Sequence, residues 1–411
     1  LTNTDVVLLE EEMKKLEEKI KLYEEILTNP DKLNSVIKED LRKIKKEYGI
    51  PRRTEIREEL EEIKVDTTRM IPKEQVVVVV TNEGYIKKVP QRSYNTAKEE
   101  ETTLKENDYV TGLYNITTTD TLLLFTNLGN YLYLPVYDIP EVKWKELGKH
   151  ISNIISLSPE EKVINSIPVY NFDEERYITS FTKNGMVKRT LLNEFKVQRY
   201  SKPIKMMNLK GTDEVISVTD STLSNVFIAT SNGYGLWYDI NEVPVVGIKA
   251  AGVKAISLKD DYVVSGILFD VASEYLTILT DKGTAKRMRL TELEKTSRAK
   301  RGILLMKTIK SNPSKIIKAY IINSKNQIGI VSDDYSKIVK LTEISIMDRY
   351  SNGSYIIKDH IIDSYIVSEL ISKEDKEEVT EEIVVEKKQI SLSEIDDKLS
   401  NIDSIIKDIN E

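Results

Sequence analysis

The stretch Thr280–Lys307, TDKGTAKRMRLTELEKTSRAKRGILLMK, decides how the rest of the sequence reads. Thr280-Asp281-Lys282-Gly283 has the composition of a tight turn, with Gly283 supplying the positive φ that such a turn needs. Apolar residues up to Thr280 precede it and a charged run up to Leu290 follows, which predicts strand, hairpin turn, strand. Ser297-Arg298-Ala299-Lys300-Arg301-Gly302 then reads as a basic loop.

Working outward, the same unit recurs. It stands at Val76–Val80 with Gly84, Leu122–Thr126 with Gly129, Ile178–Thr182 with Gly185, and Val226–Thr230 with Gly233. A degraded copy occupies Ile328–Ser332 with Tyr335. The steps between the turn Thr (or Ser) residues are 45, 56, 48, 50 and 52 residues. One such unit cannot bury both of its faces, whereas a ring of six can, so the expected fold is mainly β: a six-bladed, propeller-like array. Two stacked β domains are the alternative. Just inside each second strand stand the pairs Lys87-Lys88, Leu132-Tyr133, Lys188-Arg189, Leu236-Trp237, Lys286-Arg287 and Ile338-Val339. The basic pairs of units one, three and five either discourage edge pairing or form a discontinuous basic track around the rim.

Ahead of the repeats the periodicity is helical. Val6, Leu9, Met13, Leu16, Ile20, Tyr23 and Leu27 keep the 3-4 spacing of a coiled-coil seam. Asn29-Pro30-Asp31 breaks it, with Asp31 as the expected cap of a second helix carrying Leu33, Ile37, Leu41, Ile44 and Tyr48. The expected divisions are 1–71 helical, 72–370 the β array and 371–411 an acidic tail. Within the tail, Lys373–Lys388 reads as a charged linker. Leu392, Ile395, Leu399, Ile402, Ile406 and Ile409 then mark a short amphipathic helix, with Ser391 and Glu394 as a capping box.

The chain has 411 residues, no cysteine and two histidines, His150 and His360. Disulfides and thiolate metal sites are thereby excluded, and a histidine-based site or triad is disfavoured. The longest apolar runs are strand-length, and no signal peptide is apparent. The first residue is Leu, so the sequence reads as a fragment of a longer product. The net charge of -7 hides an uneven distribution: residues 181–210 sum to about +7 and residues 281–320 to about +9, against about -7 in the tail. Local charge outranks the total where nucleic acid is the partner. The acidic pairs Asp260-Asp261 and Asp333-Asp334 read as solvated turns and not as metal ligands.

Leu1-Thr2 at the head of a long helix, the junction Gly49-Ile50-Pro51-Arg52-Arg53-Thr54-Glu55-Ile56 and six such repeats together resemble the A subunit of the bacterial type IIA topoisomerases, gyrase and topoisomerase IV. The resemblance covers residues 1 to about 370. It implies that the helices belong to the coiled-coil arm near the exit gate and that the repeats form a β-pinwheel that binds and bends DNA. In gyrase the loop after the first repeat resembles Gln-Arg-Arg-Gly-Gly-Lys-Gly. Here Gln91-Arg92-Ser93-Tyr94-Asn95-Thr96-Ala97-Lys98-Glu99-Glu100-Glu101 lacks the glycine pair and ends in acids. A loop that approaches phosphates closely wants glycine and positive charge. The later loops Trp144–His150, Ala250–Lys254 and Arg298–Ile303 resemble those of the Gram-positive topoisomerase IV type. A gyrase A subunit with a diverged box, or a protein-binding propeller presenting Tyr133 and Trp237, are the alternatives.

The resemblance implies double-stranded DNA, an A-subunit homodimer and an ATPase B subunit (A2B2) as partners. It further implies ATP and Mg2+ on the B subunit, no cofactor in this chain, no membrane, and a cytoplasmic, nucleoid-associated place. The family's catalytic tyrosine lies in a region with no counterpart here, so no catalytic residue is expected among the 21 tyrosines. The expected role of these residues is electrostatic DNA contact through Arg189, Arg199, Lys202, Lys205, Lys249, Lys254, Arg287, Arg289, Arg298, Lys300 and Arg301. The weight is expected on blades three and five. Trp144 and His150 read as structural.

Overall fold

The structure, a computed structural model, describes residues 6–50, 71–97, 101–307 and 313–373. It divides into two units, Leu1–Val65 and Asp66–Glu411. The first is a helical hairpin, Val6–Thr28 and Pro30–Tyr48. The cap between them is Asn29, not Asp31: its side chain accepts the Asp31 amide at 3.0 Å, and Pro30 takes the first helical position, where no amide is missed. Every apolar seam residue from Val6 to Leu27 is exposed, as is the stripe Leu33–Tyr48. The junction from Pro51 onward and the tail from Glu374, with its expected linker and helix, lie outside the described residues.

The second unit is a ring of six antiparallel sheets. In blade one Gln75–Thr81 pairs with Tyr85–Pro90 on one side and Val110–Thr117 on the other. The hairpins of blades two to six are Thr121–Thr126/Asn130–Pro135, Tyr177–Thr182/Met186–Leu191, Asn225–Thr230/Tyr234–Asp239, Tyr275–Thr280/Thr284–Arg289 and Gln327–Ser332/Ser336–Lys340. Third strands, Val163–Val169 through Ile361–Ile366, touch one another in sequence order and line the centre. The ring closes where the Tyr109 ring stacks on Tyr365 at 3.7 Å and its hydroxyl donates to Asp363 at 2.7 Å. Ile371 also exchanges backbone hydrogen bonds with Leu113 and Asn115 of blade one.

The repeated threonine has a definite task. The hydroxyls of Thr81, Thr126, Thr182, Thr230 and Thr280 accept the amide four residues on, at 3.1–3.3 Å. The turn glycine, at φ between 71° and 90°, donates its amide to the same threonine's carbonyl. Only a residue without a Cβ adopts that backbone at no cost. In blade six Ser332 accepts the amide of Tyr335, three residues on, because the turn is one residue shorter. The register slips accordingly: Lys337 pairs with Ile330, and Ile338 with Gly329. The sixth pair is therefore Lys337-Ile338, not Ile338-Val339.

Five apolar clusters lie between consecutive blades. Val76, Val78 and Val80 of blade one, for example, meet Leu122, Leu124 and Leu132 of blade two. This is why a single unit has no stable fold of its own. The other face of blade one, Val77, Val79 and Val89, is covered by Tyr94 and Trp144. Tyr94 belongs to a helix, Gln91–Ala97, where the sequence suggested a loop.

Each of the first five sheets has a short fourth strand on its outer edge, and that strand comes from the next repeat. Lys149–His150, which follows the second hairpin, pairs with the second strand of blade one. Ile204–Lys205, Val253–Lys254, Ile303–Leu304 and Ser354–Tyr355 do the same for blades two to five. The opening stretch is thus shared: Thr280–Arg289 is in blade five, but the strand after its basic loop completes blade four.

Candidate nucleic-acid interface

The loops that lead into the outer strands of blades two, three and four carry a run of exposed positive charge. Arg199 and Lys202 precede the outer strand of blade two, and Lys205 is in it. Lys249 precedes that of blade three, and Lys254 is in it at the position matching Lys205. Arg298, Lys300 and Arg301 precede that of blade four. Arg199, Lys202, Lys205, Lys249, Lys254, Lys300 and Arg301 are exposed.

Two recurring devices fix these loops. In the 3-10 turn after the hairpins of blades three, four and five, a glutamate accepts an amide from the loop beyond. Glu194 takes Ile248 N at 2.8 Å, Glu242 takes Arg298 N at 2.7 Å and Glu292 takes Arg349 N at 2.8 Å. The second device is a buried lysine. Lys188 is 1% exposed and donates to the carbonyls of Met206 and Ile248 at 2.5 Å and of Gly247 at 3.3 Å. It thereby joins the chain just past blade two's outer strand to the loop of blade three. Lys286, 2% exposed, joins Leu305 to Asp348 and Arg349 at 2.7, 3.0 and 2.7 Å. Lys87 donates to Thr102 Oγ1 and to the carbonyls of Trp144 and Glu146, each at 2.6 Å. Burial pulls all three ammonium groups down from 10.5 to about 8, opposed by Glu146, Glu194 and Asp348 respectively. In blades two and four Leu132 and Leu236 fill the equivalent position.

Between blades three and four the loops meet directly. The Arg298 guanidinium donates to the Glu242 carbonyl at 2.9 Å and to the Lys254 carbonyl. Ala299 N donates to Ala255 O at 3.0 Å and Ser257 N to Lys300 O at 2.8 Å. Lys254, Arg298 and Lys300 are therefore brought together on one stretch of perimeter, and Lys188 ties Lys205 and Lys249 into the same run.

Some expected residues do other work. Arg189 lies over the Tyr177 ring at 4.9 Å and Arg287 over Tyr275 at 5.1 Å, both half-buried. Arg287 also donates to the Ile344 carbonyl at 2.9 Å. Arg298 is half-buried and largely committed to its loop. Arg289 is exposed at the end of blade five's hairpin. Arg301 is exposed with its guanidinium 4.3 Å over Tyr234. The basic track through Lys87-Lys88, Lys188 and Lys286 does not exist: these side chains point inward. Lys88 donates to Tyr137 O at 2.9 Å. The strand swap likewise moves the exposed charge from blades three and five to the outer edges of blades two, three and four.

Trp144 is buried edge-on against Tyr94, and His150 hydrogen-bonds Ser152 at 2.6 Å and the Glu83 carbonyl at 2.9 Å, both structural uses. Tyr133 stacks on Phe172, and Trp237 packs on Phe269 and donates to Asn225 at 3.0 Å. Both are half-buried against these neighbours. Asp261 accepts the amides of Asn232 and Tyr262, and Asp333 pairs with His360 at 3.3 Å. A cavity of about 730 Å3 lies among Tyr109, Tyr320, Asp363 and Glu161; the Glu161 carboxylate there is taken by Thr126 and Asn130 at 2.7 Å. The sequence reading missed Glu194, Glu242 and Glu292. Their recurrence at the same place after the third, fourth and fifth hairpins was the available signal.

A closed β-propeller whose blades exchange outer strands is the class this fold defines. Residues 75–98, 120–169, 176–219, 224–269 and 274–323 match the family described as the DNA gyrase C-terminal domain, beta-propeller. The matched stretches make up just over half of the chain, and the chain belongs to that family. It is 42% identical over 362 residues to the A subunit of DNA topoisomerase 4 from Bacillus subtilis (strain 168), covering 87% of this chain and 45% of the relative. The protein of the same name from Staphylococcus aureus (strain MRSA252) is 38% identical over 375 residues, 89% of this chain and 46% of the relative. A crystal structure of the C-terminal domain of DNA topoisomerase IV superposes with a TM-score of 0.70 at 40% identity, covering 72% of this chain and 94% of that one. The chain spans about half the length of the curated relatives it matches. No helix among the described residues is long and apolar enough to cross a membrane.

Proposed function

We propose that this chain is the C-terminal part of a topoisomerase IV A subunit. Its propeller binds duplex DNA along the outer edges of blades two to four and presents the bent duplex for ATP-dependent double-strand passage. The observation that carries the reading is the run of outer-strand loops holding Lys205, Lys249, Lys254, Lys300 and Arg301 exposed on one tied perimeter. These are flexible cations on a rigid frame, suited to phosphate contact and not to reading base edges, so shape and bending should govern binding more than sequence. Strand cleavage, ATP and Mg2+ belong to the rest of an A2B2 assembly, in the cytoplasm on the nucleoid. The exposed seams of the two N-terminal helices suit its coiled-coil arm at the dimer gate.

Gel-shift titration of the chain with linear duplex at low and moderate salt tests the DNA reading. If about six phosphates are neutralised, log Kd should change with log salt at a slope near 5 in magnitude. Absent or salt-independent binding would overturn it. The helix Gln91–Ala97, with Tyr94 buried, leaves no glycine-rich loop at the position of the gyrase box. An assembly made with the missing N-terminal region and the ATPase partner should therefore relax and decatenate plasmid without adding negative supercoils. Added negative supercoils would instead assign the chain to the gyrase branch.

A further inference from the structure

The tied perimeter of blades two to four continues onto blade five, where the exposed groups change in kind. The loop into blade five's outer strand is Asp348-Arg349-Tyr350-Ser351-Asn352-Gly353, and its backbone is held throughout. Glu292 accepts Arg349 N, and Asp348 Oδ1 accepts the amides of Tyr350 and Ser351, each at 2.9 Å. Ser351 Oγ accepts Gly353 N at 3.2 Å, and Thr284 Oγ1 donates to Asn352 O at 3.0 Å. Lys286 joins Asp348 and Arg349 to the chain past blade four's outer strand, and Lys307 N adds a bond to Tyr350 O at 3.3 Å. What this fixed loop presents is aromatic. Its one basic residue, Arg349, is half-buried, lies 4.7 Å over the Tyr350 ring and donates to the Tyr350 hydroxyl at 2.7 Å. The ring is thereby held in one orientation, yet Tyr350 is 57% exposed. Tyr355, 62% exposed, takes the outer-strand position that Lys205 and Lys254 take in blades two and three. No other tyrosine among the described residues of the propeller is as exposed as these two.

We propose that Tyr350 and Tyr355 form an aromatic contact for an unstacked base of the bound DNA, so that this perimeter prefers a duplex with a disrupted base step. The inference rests on the DNA reading above and names the form of duplex it takes. A tyrosine ring cannot replace Lys205 or Lys254 as a counter-charge to phosphate. Any base can stack on it, however, which is worth on the order of tenfold in affinity per base. In an intact duplex each base is covered by its neighbours, and only an unpaired or kinked step offers a free face. Lys307 is exposed and bonded through its amide to the Tyr350 carbonyl, which keeps a cation beside the ring for the phosphate that flanks such a base. Because the loop is already fixed, little ordering cost opposes the contact.

The test compares two duplexes of equal length, one fully paired and one with a short central mismatch, in gel-shift titrations at one salt concentration. The proteins are the full chain and its double variants Y350A/Y355A and Y350F/Y355F. Both side chains are exposed, so neither substitution threatens folding. A mismatched site also bends more easily, so the readout is how far the preference for it changes from protein to protein. The unaltered chain's preference for the mismatched duplex should exceed that of Y350A/Y355A by about tenfold. Y350F/Y355F should keep the preference, since the rings remain, and all three proteins should bind the paired duplex alike. The same preference in all three, or a phenylalanine variant that behaves like the alanine one, would overturn the proposal and leave the DNA reading standing. Binding to neither duplex by the unaltered chain would overturn both.

Discussion

Lys188 and Lys249 belong to the same blade and carry the same charge, yet they do opposite work. Lys188 points into the blade and gives its ammonium to three carbonyls, one of them the residue next to Lys249. Lys249 points outward from the loop that Lys188 holds. The inner lysines of blades one, three and five are fasteners; the outer cations of blades two, three and four form the surface they fasten. Burial outweighs the attraction of Glu194 and lowers the Lys188 ammonium to about 8, yet the carbonyls of Met206, Gly247 and Ile248 all converge on it, so the side chain fixes the two segments relative to each other.

The division is broken most visibly by charge reversal. Lys249→Glu, Lys254→Glu, Lys300→Glu and Arg301→Glu combined should weaken duplex binding on the order of 100-fold or more in a gel shift. The melting temperature should stay nearly the same, since none of these side chains is buried. Next in size is Lys286→Met or Lys188→Met. Each leaves three carbonyls without their donor and should cost about 3–5 kcal/mol in denaturant unfolding. DNA affinity of the folded fraction should change far less than in the rim variant.

A pH series sharpens the same contrast. Between about 8 and 10.5 the unfolded lysine is protonated and the folded one is losing its proton, so the unfolded state binds more protons and stability rises with pH. Burial raises the tyrosines Tyr114 and Tyr131 to about 12, which opposes this above pH 10. The informative quantity is thus the difference between the unaltered chain and Lys286→Met, which should grow with pH across that window. The smallest effect is expected at Ala299, held at φ 64° in the loop beside Lys300. Ala299→Gly relieves that strain and should stabilise by up to about 1 kcal/mol, leaving DNA binding unchanged.

Much of the ring was legible in the sequence because Thr-x-x-Gly is a local device: one hydroxyl, one amide and one positive φ make each hairpin. The degraded sixth turn misled by one residue because Ser332 caps a shorter turn, which spacing alone does not reveal. What the sequence could not show was the exchange of outer strands. That pairing is non-local, and it decides which blade owns Arg298, Lys300 and Arg301. The inward direction of Lys87, Lys188 and Lys286 was hidden for a related reason. Strand alternation gives two faces, and nothing local says that an ammonium facing inward will find acceptors on distant segments.

If the outer-strand loops are the DNA surface, the salt dependence of binding must follow their charge, and this is the most direct test. Kd for duplex DNA is measured across a salt series for the chain and for Lys249→Ala, Lys254→Ala, Lys300→Ala and Arg301→Ala combined. Removing one phosphate-binding cation should reduce the log-log slope by about 0.9, so the fourfold variant should fall from near 5 to below about 2. A variant that keeps the full slope would place the DNA elsewhere on the molecule and contradict the assignment.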